Sequence, residues 1–149
     1  MNTPTKLFAL AATLAVATAA QAAFFNFDHD QADLATPRAS FVFGAMNWSQ
    51  EVGGNDINGR LSGQLTYHGA VAGCAKVRAI WRNDAGQQIA SDLTREACSN
   101  SSLPSLPVAV AESYRSGQLR GARVELLLKE FNASDFRVVE SRVMRAGSN

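Results

Sequence analysis

The sequence predicts an all-β protein, a small antiparallel β-sandwich of about six or seven strands in an immunoglobulin-like or related Greek-key arrangement, with one disulfide. Strand-sized segments rich in β-branched and aromatic residues are separated by turns that contain glycine or asparagine. Residues 61–67 alternate between one apolar and one polar face, the period of two of a strand with one wet side. Two cysteines follow an N-terminus typical of an exported chain.

Residues 1–22 are predicted to be a secretory signal peptide. Lys6 supplies a positive charge, an uncharged apolar stretch follows it, and residues 20–22 form a small-x-small cleavage pattern. We therefore expect cleavage before Ala23. A membrane-spanning helix needs about 20 predominantly apolar residues, and this stretch is shorter. The mature chain is expected to be periplasmic or secreted, without membrane insertion.

Composition limits the partners of the mature chain. About 125 residues remain after cleavage, enough for one domain with a core. Without Lys6, 13 basic residues balance 13 acidic ones, by subtraction of one from 14. A protein that binds nucleic acid or an anionic membrane normally has a net basic charge, so neither partner is predicted. Residues 23–37 are expected to form an irregular leader, with some packing or pairing through its phenylalanines, and residues 38–146 the sandwich domain.

Cys74 and Cys98 are the only cysteines of the chain. In an exported protein they are expected to form a structural disulfide. The bridge would close a loop of about 25 residues, which the chain-entropy model values at roughly 3–4 kcal/mol. A metal site is the first alternative, but two cysteines without a matching histidine pair are too few for it. A nucleophilic thiol is the second.

Seven segments have the length and composition of strands, and they are residues 39–48, 61–67, 74–82, 88–94, 108–114, 122–130 and 136–144. A helix is the main competitor in residues 122–130, because glutamate, leucine and lysine are good helix formers. Gly121 on one side and the turn at residues 132–135 on the other favour a strand-sized segment.

The hairpin of residues 74–94 is the element that the sequence specifies in most detail. Asp84-Ala85-Gly86 fits a three-residue loop, with Gly86 in the left-handed conformation. The register that follows has apolar pairs on one face and polar pairs on the other: Trp81–Ile89, Ala79–Ser91 and Val77–Leu93, then Arg82–Gln88, Arg78–Asp92 and Lys76–Thr94. This register also sets Cys74 level with Glu96, so that Cys98 lies just past the base of the hairpin.

No sequence pattern predicts an enzyme, a cofactor or a resident metal. His68 lies on a polar face at a strand end, no serine lies in a Gly-x-Ser-x-Gly elbow, and there is no dinucleotide fingerprint. Asp28-His29-Asp30, with Asp33, is the one local cluster of metal-type ligands. Consecutive residues of an extended chain point in alternate directions, so a solvated leader is favoured there and metal binding is left open.

Basic side chains on one face of the hairpin are the candidate interaction surface. Lys76, Arg78 and Arg82 share that face, and Asp84 lies at its tip. Further basic residues near the C-terminus are Arg123, Lys129, Arg137, Arg142 and Arg145. They fit either a patch for an acidic protein or for a sulfated or phosphorylated surface, or a solvated sheet face with acidic cross-strand partners. The balanced charge favours the second interpretation.

The leading functional hypothesis is a non-enzymatic, exported bacterial module that binds another macromolecule, in the first place a protein. Its contact surfaces would be the loops at the sandwich ends and the hairpin tip at residues 83–86. The alternatives are an inhibitor of a hydrolase such as a lysozyme or protease, a small enzyme that uses His68, and a carbohydrate-binding module. The last would need Trp48 and Tyr114 exposed and coplanar.

Overall fold

A computed structural model describes residues 21–29, 38–50, 53–68, 71–101 and 103–147. These residues form the strands β1 (Gln21–His29), β2 (Ala39–Gln50), β3 (Ile57–Tyr67), β4 (Gly73–Arg82), β5 (Gln88–Leu93), β6 (Ala97–Ser99), β7 (Val108–Ser116), β8 (Gly121–Glu130) and β9 (Arg137–Arg145). The predicted signal peptide lies outside the described residues except for its last two positions. Residues 30–37 of the predicted leader lie outside them as well.

The strands form two antiparallel sheets. Sheet A has the order β1-β2-β3-β7, and sheet B has the order β5-β4-β8-β9 with β6 also paired to β4. One face of each sheet packs on the other and forms a continuous apolar core. The predicted all-β sandwich with one disulfide is confirmed, with nine strands in the described residues. Those residues include no helix long and apolar enough to cross a membrane.

The predicted irregular leader needs a correction, because residues 21–29 are the edge strand β1, paired along β2. The sandwich therefore includes residues 23–29 of the predicted leader and does not begin at residue 38. Phe25 and Phe27 are buried and their rings lie against Phe41 of β2, at centroid distances of 5.6 and 6.3 Å. Phe24 is exposed on the opposite face. Because Phe24 is an aromatic residue on the exposed face, residues 24–27 do not show the alternation of apolar and polar residues that would indicate a strand.

The predicted hairpin register is confirmed only at its first pair. Arg82 lies opposite Gln88 as expected, but Ile89 is an extra bulged residue, and Trp81 then lies opposite Ala90. The remaining predicted pairs are wrong by one position, so that Arg78 faces Leu93 and Asp92 faces Ala79. Apolar alternation alone could not reveal a bulge that turns a carboxylate inward and leaves Leu93 55% exposed.

The buried indole of Trp81 explains this register. Trp81 is 0% exposed, and its Nε1 donates a hydrogen bond to Asp92 Oδ2 at 2.6 Å. A buried indole N–H needs an acceptor, which Asp92 supplies only in the bulged register. Asp92 lies opposite the buried Ala79 and therefore faces sheet A. There burial raises the pKa of Glu112 on β7, and the negative charge of Asp92 raises it further.

A second irregularity sets the disulfide. Thr94 interrupts the pairing: its Oγ1 accepts a hydrogen bond from Val77 N at 3.0 Å, and its own N donates to Val77 O at 3.0 Å. After this step β6 pairs with β4, and Cys98 lies opposite Cys74 instead of past it. The predicted Cys74–Cys98 disulfide is confirmed, and it fastens β6 to β4.

Trp81 also joins the two sheets. Its ring stacks on Tyr114 of β7, with centroids 6.0 Å apart and planes at 20°. At Gly59 on β3, a Cβ atom would lie 2.8 Å from ring carbons of both Trp48 and Trp81. Only glycine leaves room for both indoles at this point.

The register makes a prediction about Asp92. Asp92→Ala leaves the buried Trp81 N–H without an acceptor, so the free energy of unfolding should fall by about 1–3 kcal/mol. Asp92→Asn keeps an acceptor oxygen, so its free energy of unfolding should fall by clearly less. Urea denaturation of both variants measures this. Equal and negligible losses would indicate an outward Asp92, as in the unbulged register.

Candidate functional site

The outer face of sheet B, which points away from sheet A, carries a cluster of basic side chains. Its members are Lys76, Arg78, Arg82, Arg123, Lys129 and Arg145. We call these residues, with the strand surface between them, the basic face. It includes the three basic residues of the hairpin that the sequence analysis singled out, and three of the five it noted near the C-terminus.

Strand alternation places these side chains. In β4 every second residue from Ala75 to Trp81 is fully buried in the core, so the residues between them point outward. Pairing with β8 sets Arg78 beside Glu125, and pairing of β8 with β9 sets Arg145 beside Gly121. The basic face is therefore the reverse side of the core-forming strands.

One carboxylate, Glu125, lies at the centre of the basic face. It is 3% exposed. Arg78 Nε donates a hydrogen bond to Oε2 at 2.8 Å, and Arg123 Nη2 lies 2.8 Å from Oε1. Among the outward positions of β4 and β8 it is the one acidic side chain. A single negative charge is thus shared by two guanidinium groups, and the triad remains positive.

The two lysines occupy the end of the basic face away from the hairpin tip. The Nζ atoms of Lys76 and Lys129 lie 4.7 and 5.0 Å from the ring centroid of Phe136, within the range of a cation–π contact. Lys76 also forms an ion pair of 2.8 Å with Glu96. These contacts hold both ammonium groups on the same surface as the arginines.

Apolar side chains lie between the charges. Ile80 and Leu127 point outward in the register, yet they are only 4% and 5% exposed. Ile80 lies between two arginines along β4 and opposite Arg123, and we attribute its burial to the aliphatic stems of these neighbours. Leu93 and Val143, on the flanking strands, are exposed. The basic face therefore presents exposed apolar side chains beside its cationic groups.

A cleft opens at the hairpin end of the basic face. Its volume is about 180 Å³, and its charged lining consists of Arg82, Asp84, Arg120 and Arg145. The structure therefore brings two of the four predicted surface residues, Arg82 and Asp84, to one cleft, while Lys76 and Arg78 lie further along the same sheet. Arg120 was not predicted from the sequence, because it belongs to the turn before β8 and no periodic pattern includes it.

A second cleft, of about 410 Å³, contains both histidines with Asp28 and Ser40. Ser40 Oγ lies 2.7 Å from His68 Nε2, a pairing that the sequence did not predict. Nucleophilic catalysis also needs a group that orients the histidine and donors for an oxyanion. The hydrogen bonds described for the exposed His68 are this contact and that of its amide to Arg38 O. The pair therefore supports no catalytic assignment.

The candidate metal ligands of the leader are only partly described. His29 Nδ1 lies 3.8 Å from Glu140 Oε1 on β9. Burial raises the pKa of Glu140, with a lowering contribution from His29 and a raising one from Asp28. Asp30 and Asp33 lie outside the described residues. Within the described part of the chain, the ligand atoms of Cys74, Glu96 and Cys98 are close together, but the disulfide leaves no thiolate for a metal.

The aromatic platform considered for carbohydrate binding does not form from Trp48 and Tyr114. Trp48 is 5% exposed. Tyr114 stacks on the buried ring of Trp81. Both side chains are thus occupied with packing of the core.

Comparisons with protein-family models, with curated proteins and with solved structures found no match.

The triad at the centre of the basic face makes a second prediction. Glu125→Gln removes the buried negative charge that pairs with Arg78 and Arg123. The free energy of unfolding should therefore fall by about 1–3 kcal/mol. Glu96→Gln is the matched control, because its ion pair with Lys76 is exposed to water and should contribute less than about 1 kcal/mol. Equal losses in chemical denaturation would show that Glu125 is not the central counter-charge.

Proposed function

We propose that this protein is an exported, non-enzymatic binding module whose basic face docks on an acidic surface of a partner protein. The observation that carries the proposal is charge segregation. Six basic side chains share one sheet face with three carboxylates, which are the buried Glu125, Glu96 beside Lys76 and Asp84 at the hairpin end. This face therefore has an excess of three positive charges (six minus three).

Export is part of the proposal. The pattern of residues 1–22 supports it. The disulfide is compatible with an oxidising location. The environment outside the cytoplasm would also keep β6 attached to β4.

An acidic protein fits the basic face better than a nucleic acid or a membrane does. A polyanionic backbone or headgroup layer requires cations but makes little use of apolar surface. Here Leu93 and Val143 are exposed beside the charges, whereas Ile80 and Leu127 are already covered within the protein. A partner that buries Leu93 and Val143 while its carboxylates meet the basic groups uses both features.

Segregated charge also gives the proposed module a way to find its partner. A surface of one sign steers the approach of an oppositely charged protein, and the effect weakens as salt screens it. The balanced net charge of the chain favoured a solvated sheet face. Net charge is a sum over the whole chain, and it does not report how the charges are distributed.

Fluorescently labelled poly-L-glutamate provides the test. We expect saturable binding that weakens with salt, measured by fluorescence anisotropy at low ionic strength. Arg82→Glu and Lys129→Glu should each weaken it by about five- to tenfold, since reversal replaces an attraction of up to roughly 1 kcal/mol with a repulsion. The control is Arg60→Glu on β3, an exposed residue of sheet A, which should have little effect.

Three results would contradict the proposed function. Poly-L-glutamate that fails to bind at low salt removes the basis for an acidic partner. An equal loss in Arg60→Glu shows a general charge effect without a particular face. Tighter binding to single-stranded DNA or to vesicles of phosphatidylglycerol than to poly-L-glutamate assigns the face to another class of partner.

A further inference from the structure

The cleft at the hairpin end includes a strand position without a side chain, Gly121. Arg82, Gly121 and Arg145 lie in one row across β4, β8 and β9. Neighbouring strands are about 4.8 Å apart, so the two arginines flank a gap one strand wide. A Cβ atom at Gly121 would lie 2.7 Å from Met144 O. The close approach of the β9 backbone therefore requires glycine here, and no side chain lies between the two arginines.

Arg82 is a half-buried residue that lines this cleft. Its Nε is covered and has no hydrogen-bond partner in the described part of the chain, a state that Arg123 Nε shares. An acceptor that enters the cleft can reach the guanidinium group of Arg82 and form a charge-assisted hydrogen bond with it.

Arg120 is held rigidly at the same cleft. Its Nη1 donates hydrogen bonds to Gly117 O at 2.9 Å and to Leu119 O at 2.7 Å. Its backbone N donates to Arg82 O at 2.8 Å, and Ala146 N donates to its carbonyl at 2.9 Å. The turn that carries Arg120 is thereby tied to the ends of β4 and β9, and its guanidinium is preorganised.

The charge of the cleft attracts an anion, because three arginines and one carboxylate, the exposed Asp84, line it. The planar fork of arginine matches the two oxygens of a carboxylate, which is the anionic group that the proposed acidic partner presents. A cleft of about 180 Å³ has room for roughly six waters at liquid density, the scale of one side chain.

We propose that this cleft is a carboxylate subsite, which takes one glutamate or aspartate side chain of the partner. The inference rests on the proposed function and adds the point at which the partner is anchored. Arg82 forms the bidentate contact, Arg120 provides a fixed second guanidinium, and Gly121 provides the space. The rest of the basic face contributes attraction without this geometric requirement.

The test uses N-acetyl-tetraglutamate amide as the probe and Arg82→Lys as the variant, because lysine keeps the charge and removes the planar fork. Titration followed by ¹⁵N NMR should move the Arg82 Nε–H resonance, and Arg82→Lys should weaken binding at least fivefold. Arg60→Lys, the same exchange at an exposed residue of β3, should bind like the wild-type chain. Thermal unfolding verifies that both variants are folded.

The outcomes separate the two proposals. If the peptide binds and Arg82→Lys binds it equally well, the subsite is wrong and the proposed function stands. If neither the peptide nor poly-L-glutamate binds, both are wrong. If a phosphoserine peptide of equal length binds more tightly than the tetraglutamate, the carboxylate assignment is overturned. A loss confined to Arg82→Lys supports the subsite.

Discussion

The burial of one face of β4 is the constraint on which the rest of the structure depends. Its inward residues end in Trp81, whose indole reaches Asp92 on β5, Tyr114 on β7 and the gap above Gly59 on β3. With that face fixed in the core, the intervening lysine and arginines have only the outer surface available. The core and the basic face are two consequences of the same alternation.

The sequence predicted the architecture well where a pattern had period two over a long stretch. The seven predicted strands and the Cys74–Cys98 bridge are all present. Strand β1 was missed because the exposed Phe24 adds an aromatic side chain to the wet face. The register beyond Arg82 was missed because of the bulge at Ile89, which lets Asp92 accept a hydrogen bond from the indole of Trp81. Apolar and polar alternation does not predict such a hydrogen bond.

The candidate site was predictable only in part, for a different reason. Lys76, Arg78 and Arg82 share a face because they lie on one strand, and the sequence shows this directly. Arg123, Lys129 and Arg145 lie on the same face because β4, β8 and β9 are neighbours in sheet B. The order of strands in a sheet is a long-range property that one strand's sequence does not show. The contact of Ser40 with His68 and the position of Arg120 in the cleft are likewise products of tertiary structure.

Mapping the contact surface tests the central claim most directly. Backbone amide shifts of ¹⁵N-labelled protein, recorded during a titration with poly-L-glutamate at low salt, show which strands meet the acidic chain. The account predicts that the largest shifts fall in β4, β8 and β9 and in the turns beside Arg82 and Arg120. Largest shifts in β1, β2 and β3, or an even spread over both sheets, would contradict it.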